Sequence, residues 1–420
     1  MSSEGQRPVF QKLLEDTSLS AITAGLVAVI VSYAGPLVIV FQAAKTAGLS
    51  DMQLATWIWS ISLGSGIAGL VLSLRYKLPI ITAFSTPGAA LLIGALGIYS
   101  YQEAIFAFLV TGALILALGF SAGFQRMVLK MPPQIAAAML AGILLQFGLQ
   151  LIGSMRETPQ LVIPMAAVFL LGRRFYPTYA VIGALLTGLA ISLIGGEVDT
   201  DTVQLAIVHP VMTWPAVSIE AIVGIAIPLF VVAMASQNIP GLAVLEAAGY
   251  SRPPVTGILQ TTGAVSVGLA PFGSHGITLA ALTAAICTGP EAHKDPAKRY
   301  VAGVFCGIFY IVFGLLGPSV ASLIQSLPAA FISATAGLAL LSALTNGLTG
   351  SLTNAEHREA AMITFLVTAS GIVVWGIGSG FWGLVAGLIA LVITRSRLSE
   401  LLRKRGRRAD LSQDMPSAAD

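Results

Sequence analysis

A succession of apolar stretches, most of them long enough to cross a lipid bilayer as a helix, runs through this chain. Of its 420 residues, 56% are hydrophobic and only 10% are charged. Soluble domains carry roughly 25% charged residues because their surfaces face water. The sequence therefore predicts an all-α polytopic membrane protein whose solvent is the lipid bilayer. The net charge of +3 is too small to indicate a nucleic-acid partner.

The apolar stretches predict about 14 transmembrane segments. A helical span needs about 20 apolar residues to cross roughly 30 Å of hydrocarbon. Windows of that length place the spans at residues 18–44, 52–74, 78–97, 102–123, 131–154, 159–172, 176–195, 217–244, 253–271, 273–290, 299–323, 328–346, 357–377 and 378–396. The sixth and tenth segments are short, and Pro79 and Pro87-Gly88 interrupt the third.

The distribution of basic residues predicts the orientation. If the N-terminus is cytoplasmic, all but two of the 22 Lys and Arg residues lie on the cytoplasmic side, the exceptions being Lys45 and Arg156. The positive-inside rule then favours an even number of spans with both termini in the cytoplasm. The predicted parts are an N-terminal tail (1–17), a first seven-span repeat (18–195), an extracytoplasmic loop (196–216), a second repeat (217–396) and a basic C-terminal tail (397–420).

The two halves of the chain resemble each other weakly. At an offset of 195 residues, Gly112 matches Gly307, Gly119 matches Gly314, and Pro133 matches Pro328. Small residues at matching positions mark helix contacts within membranes. Because each unit holds seven spans, the second unit enters the bilayer from the opposite side. Such 7+7 inverted repeats with interrupted helices are typical of secondary transporters. A chance match between two Gly-rich stretches is the alternative.

The third predicted span reads as a short strand followed by a half-helix. The residues before Phe84 are β-branched, and Ser85 or Thr86 offers an N-cap hydroxyl for a helix that begins at Pro87. Gly88 would let a ligand approach the backbone. Its expected counterpart in the tenth span is Gly273 to Gly276, with Ser274 as the cap. Two helix N-termini facing each other in mid-membrane would favour an anion. Two ordinary kinked helices are the alternative.

His275 is the ionisable side chain expected nearest the bilayer centre, apart from tyrosines such as Tyr33. Because an imidazole titrates near neutral pH, His275 is the first candidate for carrying a proton beside an anionic substrate. A structural histidine that donates to a backbone carbonyl is the competing interpretation. Glu220 is a second candidate for a proton relay.

Polar and aromatic residues beside the broken helices complete the candidate substrate site. Gln237 and Asn238 are amides within the eighth span, where they either bind a carboxylate or join helices. An aromatic substrate could stack on the rings that flank the two half-helices. The predicted substrate-binding residues are Tyr33, Phe84, Ser85, Thr86, Gly88, Gln237, Asn238, Phe272, Ser274, His275 and Gly276. Neither a metal nor a cofactor is expected, because Cys287 and Cys306 lack metal-ligand spacing.

Four stretches resemble the benzoate–proton symporter (BenE-type) family: SAITAGLVAVIVSYAGPLVIVFQAA, ITAFSTPGAAL, SQNIPGLAVL and FGSHGITLAALTAAICTGPEAHKDPAKRY. That family is similar in fold to uracil and nucleobase–ascorbate carriers. The resemblance implies a core domain of spans 1–4 and 8–11, a gate domain of spans 5–7 and 12–14, and a bacterial cytoplasmic membrane location. A homodimer is a further implied arrangement. Where nucleobase carriers place acidic residues, this chain has Gln237 and Ser274–His275, which favours an anionic substrate.

The leading hypothesis is therefore proton-coupled uptake of benzoate or a similar aromatic carboxylate. A carrier for another small anion or a nucleobase is the alternative. A membrane-embedded enzyme is not expected, because it would need a set of catalytic side chains within the bilayer. The His293–Asp295 stretch lies in a predicted cytoplasmic loop without a partner motif.

Overall fold

A computed structural model describes residues 9–121, 132–176, 179–198, 205–250, 253–280, 282–290, 292–374 and 379–394. These residues form helices and one two-stranded antiparallel sheet. The first half contains α1 (Val9–Asp16), α2 (Leu19–Ala34), α3 (Pro36–Thr46), α4 (Asp51–Tyr76), β1 (Thr82–Phe84), α5 (Thr86–Ala95), α6 (Tyr101–Phe120), α7 (Pro133–Glu157), α8 (Pro159–Phe175) and α9 (Ala180–Ile194).

The second half follows the same order of elements. It contains α10 (Ile219–Glu246), α11 (Val255–Leu269), β2 (Ile277–Leu279), α12 (Leu282–Thr288), α13 (Tyr300–Leu315), α14 (Gly317–Gln325), α15 (Ala329–Ser351), α16 (Arg358–Ala369) and α17 (Ser379–Thr394). The basic tail predicted at 397–420 lies outside the described residues.

Long apolar helices confirm a membrane-spanning architecture. Within the described ranges, eight helices are long and apolar enough to cross a bilayer. They include α2 and α3 taken together, which join at the break between Gly35 and Pro36, and the 28-residue α10. Three shorter apolar helices, α5, α9 and α17, occur as well. Each of the fourteen predicted segments overlaps a helix or a strand followed by a helix.

Helix α10 contains two wide π-helical turns, at Ile222–Ala226 and at Met234–Asn238. Each turn is followed within two residues by a proline, Pro228 or Pro240. A proline inside a helix lacks the N–H for the ladder and crowds the preceding turn, and a π-turn accommodates that disruption. The second turn contains Gln237 and Asn238, and it places Asn238 against the end of β2.

The strands show how the two halves correspond. Strand β1 begins at Thr82 and β2 begins at Ile277. The two positions are separated by 195 residues, the same offset that relates the matching glycines. The strands pair antiparallel, with Phe84 opposite Ile277 and Thr82 opposite Leu279. Because each strand leads into its own short helix, α5 and α12 leave the two-strand ribbon from opposite ends.

The matching glycines lie at helix contacts. A Cβ atom on Gly112 of α6 would stand 2.9 Å from the backbone nitrogen of Val267 in α11. On Gly307 of α13 it would stand 2.7 Å from the carbonyl oxygen of Gly66 in α4. Glycine is needed at both places because the helix backbones touch. This physical reason explains why the weak sequence repeat is visible at all.

The helices pack in two groups. One group surrounds the ribbon and contains the closely packed pairs α4–α13 and α6–α11, together with α2 against α13. The other contains α7 packed on α15 and α16, and α8 on α9. Helix α5 lies beside α3 and also contacts α7, so it connects the ribbon to the second group.

Candidate functional site

The first half-helix begins as its sequence predicts. Ser85 is the N-cap of α5, and its hydroxyl oxygen accepts a hydrogen bond from the Gly88 N–H at 3.1 Å. Pro87 occupies the first turn, where a missing N–H costs nothing. The Thr86 side chain is half-buried. A Cβ on Gly88 would lie 2.8 Å from Leu229 of α10, so this glycine allows α10 to pack closely against α5.

The second half-helix begins later than the sequence analysis places it. Gly273 and Gly276 adopt φ values of +96° and +136°, which make a turn, and β2 follows directly. The next helix, α12, starts at Leu282. The prediction that Ser274 caps this helix is therefore wrong, and the turn Gly273–Gly276 does not correspond to Thr86–Gly88. The β-branched Ile277 and Thr278 favour a strand at the place where a helix was predicted.

His275 joins the two halves of the chain at the ribbon. The indole N–H of Trp57 donates to Nδ1 of His275 at 3.0 Å, so Nδ1 carries no hydrogen. Nε2 then carries the hydrogen and donates to the Ser85 carbonyl oxygen at 3.0 Å. The Ser85 N–H in turn donates to the Gly276 carbonyl oxygen at 3.1 Å. Residues 85 and 275 thus hold each other in place across the ribbon.

Aromatic rings enclose the imidazole, which is only 1% exposed. Ring centroids of Trp57, Phe84 and Phe108 lie 5.7, 6.3 and 6.2 Å from that of His275, each in an edge-to-face arrangement. Tyr101 packs against Trp57 at 5.7 Å. Phe84 is therefore used to enclose His275, and a substrate ring would have to displace it before stacking there.

Helix α10 closes the edge of the ribbon through an amide. The Asn238 side-chain oxygen accepts a hydrogen bond from the Leu279 N–H at 3.0 Å, and Asn238 is fully buried. This contact satisfies a strand N–H that has no partner strand on that side. The neighbouring Gln237 is half-buried on the same π-turn. Asn238 thus joins elements, and Gln237 is the amide in this turn without such a contact among the described hydrogen bonds.

Ser274 presents a hydroxyl beside His275. Its oxygen is fully buried and has no hydrogen-bond partner within the described part of the chain. A buried hydroxyl without a partner costs about 1–3 kcal/mol, so this position is suited to a bound polar group. Ser274 therefore stays a substrate-binding prediction, although its predicted capping role is wrong.

Other predicted residues are not brought to the ribbon by any described contact. The Tyr33 hydroxyl hydrogen-bonds Ser62 of α4, and its ring packs on Phe313 of α13. Phe272 packs edge-to-face on Trp59 at 5.5 Å. Glu220 is exposed in the first turn of α10, where the Ser218 hydroxyl donates to it at 3.2 Å.

Glu220 lies far from the ribbon along α10. The eighteen residues from Glu220 to Asn238 span about 27 Å at the usual helical rise. Glu220 thus cannot contact a substrate at the ribbon, and a proton relay through it would have to begin near the surface of the membrane.

Three residues that the sequence patterns did not single out hold the site together. Trp57 orients His275, and Ser266 of α11 accepts a hydrogen bond from the Ile277 N–H at 2.9 Å. The Thr82 hydroxyl donates to the Ser65 carbonyl oxygen at 2.6 Å. A polar N–H or hydroxyl deep in an apolar span was the available signal, since each needs a partner there. That signal does not identify the partner of each group.

The polar groups at the ribbon without a hydrogen bond among those described are neutral. They are the hydroxyls of Ser274 and Thr86, the Gln237 amide and the Thr86 N–H, because Pro87 has no N–H and the Gly88 N–H is capped by Ser85. Such donors bind a carboxylate without adding a fixed charge to the bilayer. Among the described residues, no group of three or more His, Cys, Asp or Glu side chains could hold a metal ion.

Comparisons with known proteins match the chain over nearly its whole length. Residues 15–393 match the family described as benzoate membrane transport protein, BenE. The inner membrane protein YdcO of Escherichia coli K12 is 43% identical over 372 residues, covering 89% of this chain and 95% of that protein. The benzoate membrane transport protein of Acinetobacter baylyi is 37% identical over 385 residues, covering 92% and 98%.

Solved structures show the same fold at low sequence identity. SLC26A9 superposes with a TM-score of 0.59 at 13% identity, covering 91% of this chain and 67% of that one. The transmembrane domain of the cyanobacterial bicarbonate transporter BicA gives a TM-score of 0.53 at 15% identity, covering 88% and 97%.

Proposed function

The chain belongs to the benzoate membrane transport protein family, and from that membership we propose that it carries benzoate or a similar aromatic carboxylate together with a proton. The proposed location is the bacterial cytoplasmic membrane, with both termini in the cytoplasm. A membrane transporter with a small-molecule substrate follows from the family itself. The aromatic carboxylate and the coupling to protons are the proposal.

The proposed architecture is a 7+7 inverted repeat of 14 spans. Its support is the common offset of 195 residues, which relates β1 to β2 and glycine contacts in one half to glycine contacts in the other. The two packing groups of helices agree with a core domain and a gate domain. A homodimer is an expectation from the family resemblance.

One observation carries the proposed mechanism: the half-helix α5 begins at a buried ribbon formed by both halves of the chain. The substrate carboxylate would accept hydrogen bonds near Thr86 and Ser274, with Gln237 beside it. Neutral donors at a helix N-terminus stabilise the anion without placing a fixed charge in the bilayer. Movement of the second packing group, which contains α7, α8, α9, α15 and α16, past α5 would then expose this site to either face of the membrane.

The proton would move with the anion and make the cycle electroneutral. His275 remains the proposed carrier near the substrate, although its Nδ1 accepts from Trp57 in this structure. A proton on Nδ1 therefore requires the Trp57 N–H to turn away. We propose that substrate binding produces this rearrangement, with Glu220 relaying protons from the membrane surface.

Uptake by purified protein in proteoliposomes tests the function. Labelled benzoate should accumulate when the outside is made acidic, and a protonophore should abolish the accumulation. Neutral benzoic acid crosses lipid unaided, so liposomes without protein and under the same gradient are the necessary control. One proton per benzoate gives the same final accumulation as free benzoic acid, so the readout is the initial rate of uptake. A rate no greater than in those liposomes would contradict the proposal.

A carrier for another small anion is the second candidate, because one structural neighbour is a bicarbonate transporter. Competition separates the two possibilities. Excess benzoate should block uptake of the label, whereas excess bicarbonate or uracil should not.

A further inference from the structure

A cavity lies at the other end of α5 from the ribbon. It has a volume of about 400 Å³ and is bounded by α5, α7, α16 and α17. Its lining begins at Ala90 and includes Gly94, about 14 Å along the helix from Ser85. None of its lining residues belongs to β1, β2 or the turn that holds His275. We call this cavity the vestibule, and it is separate from the ribbon site.

Neutral hydrogen-bond donors converge on one side of the vestibule. Gln146 and Gln150 both line it, one turn apart on the same face of α7. The Gln146 amide donates to the Ala369 carbonyl oxygen at 3.2 Å, which covers the terminal carbonyl of α16. No such contact is described for Gln150, so its amide is the one that a ligand could engage.

A buried hydroxyl also lies on this side, packed against Gly383 of α17. Thr368 lines the vestibule, is 4% exposed, and its hydroxyl has no hydrogen-bond partner among the described residues. Ser379 and Gly380, the first described residues of α17, line the cavity next to it. The Ser379 hydroxyl donates to the Thr368 carbonyl oxygen at 2.9 Å and holds the two helices together.

The remaining walls are apolar and uncharged. Leu91, Ile93, Phe147 and Val373 supply the apolar surface, and no charged side chain occurs among the lining residues described. An apolar pocket with a few neutral donors on one side matches a flat ring that carries one carboxylate. A cation would find no counter-charge there, and a highly charged anion would find no basic residue.

We propose that the vestibule is a second binding site for an aromatic monocarboxylate, occupied before the substrate moves along α5 to the ribbon. This inference rests on the proposed function. The ring lies between α5 and α7, and the carboxylate accepts a hydrogen bond from Gln150. The Thr368 hydroxyl reaches the carboxylate after rotation of its side chain, whose methyl group now faces the lining residue Gly142. The site adds affinity and selectivity at the mouth of the pathway, ahead of the ribbon site.

Cysteine protection in lipid nanodiscs tests the vestibule with benzoate as the probe. A Cβ on Gly94 meets nothing within 4 Å, so Gly94→Cys should fold, and the native Cys287 and Cys306 are buried. Gly153→Cys is the matched control, because Gly153 has equally open space on α7 but does not line the vestibule. Benzoate should slow modification of Gly94→Cys by a charged methanethiosulfonate severalfold and leave Gly153→Cys unchanged. Equal rates with and without benzoate would overturn the proposal.

Two further variants show whether protection arises in the vestibule itself. Adding Gln150→Leu or Thr368→Val to Gly94→Cys should raise the benzoate concentration for half-protection about three- to tenfold, as expected for one lost neutral hydrogen bond. An unchanged concentration would mean that benzoate acts from the ribbon site, and the proposal would be wrong. If Gly94→Cys does not yield folded protein, Gly380→Cys replaces it, since its Cβ would make only an ordinary 3.9 Å contact with Leu91.

The uptake assay separates this inference from the proposed function. Wild-type protein that transports benzoate while benzoate fails to protect Gly94→Cys refutes the vestibule site alone. Protein that neither transports benzoate nor shows protection refutes both.

Discussion

Single side chains at the ribbon have roles that their type alone does not reveal. His275 is a titratable group in an apolar chain, yet both its ring nitrogens are occupied and aromatic rings surround it. Asn238 is an amide deep in a span, yet it completes the hydrogen bonding of a strand. In both cases the residue stabilises the backbone that presents the site. Ser274, whose hydroxyl has no hydrogen-bond partner among the described residues, is the better candidate for direct contact with substrate.

The Ser85 cap should matter for transport beyond its effect on stability. Ser85→Ala and Ser100→Ala each remove an N-cap hydroxyl, from α5 and α6 respectively, and each should cost about 1 kcal/mol of stability. Only Ser85→Ala also changes the helix terminus proposed to hold the carboxylate. Its benzoate uptake should therefore fall well below that of Ser100→Ala at similar thermal stability. Equal uptake by the two variants would place the carboxylate elsewhere.

The bond from Trp57 to His275 offers a test of the proton carrier. Trp57→Phe removes the N–H that occupies Nδ1, so a proton could bind there without competition. The midpoint of the pH profile of uptake should therefore shift relative to wild type. Trp59→Phe is the control, because Trp59 packs on Phe272 and not on His275. A Trp57→Phe profile that coincides with the wild-type profile would argue against a proton on His275.

At the scale of elements, close backbone contacts hold the helices around the ribbon. Gly307 and Gly66 allow α13 and α4 to touch, and a Cβ on Gly307 would meet the Gly66 carbonyl oxygen and Leu70 at 2.7 and 2.9 Å. Such contacts replace the hydrophobic effect, which contributes little between helices in lipid. The position of β1 depends on them, because β1 packs against α4.

Gly307→Ala should destabilise the protein although alanine favours helices. An exposed Gly→Ala change within a helix stabilises by about 0.5–1 kcal/mol. At position 307 the clash forces α13 away from α4, so the temperature of unfolding in detergent should fall. Gly153→Ala, where a Cβ meets nothing within 4 Å, should leave this temperature unchanged or raise it. A rise for both variants would show that the α4–α13 contact is looser than described.

For the whole molecule, coupling one proton to one carboxylate predicts transport without net charge movement. Proteoliposomes with a fixed pH gradient should take up benzoate at the same rate when a potassium diffusion potential of either sign is imposed with valinomycin. A membrane potential does work only on a net charge that crosses the bilayer. Uptake that accelerates with an inside-negative potential would show that more than one proton accompanies each anion.

The sequence by itself determined that the chain faces lipid, where its apolar segments approximately lie, and that some of its helices are broken. Those features depend on local composition: apolar length sets a span, and Ser85 with Pro87 sets a helix start whatever surrounds it. The offset of 195 residues between matching glycines was also visible, because a position where two helix backbones touch has no room for a side chain. Motifs in the same stretches also indicated the family of membrane transport proteins to which the chain belongs.

Only the tertiary structure decided where the second half-helix begins and what His275 contacts. The segment from Gly273 to Thr288 can be read as one interrupted helix, and pairing with β1 makes its first part a strand. Trp57 and His275 lie more than two hundred residues apart, so no local pattern relates them. The vestibule likewise depends on helices from both halves of the chain. Partners that meet across the fold are set by packing, which local composition does not encode.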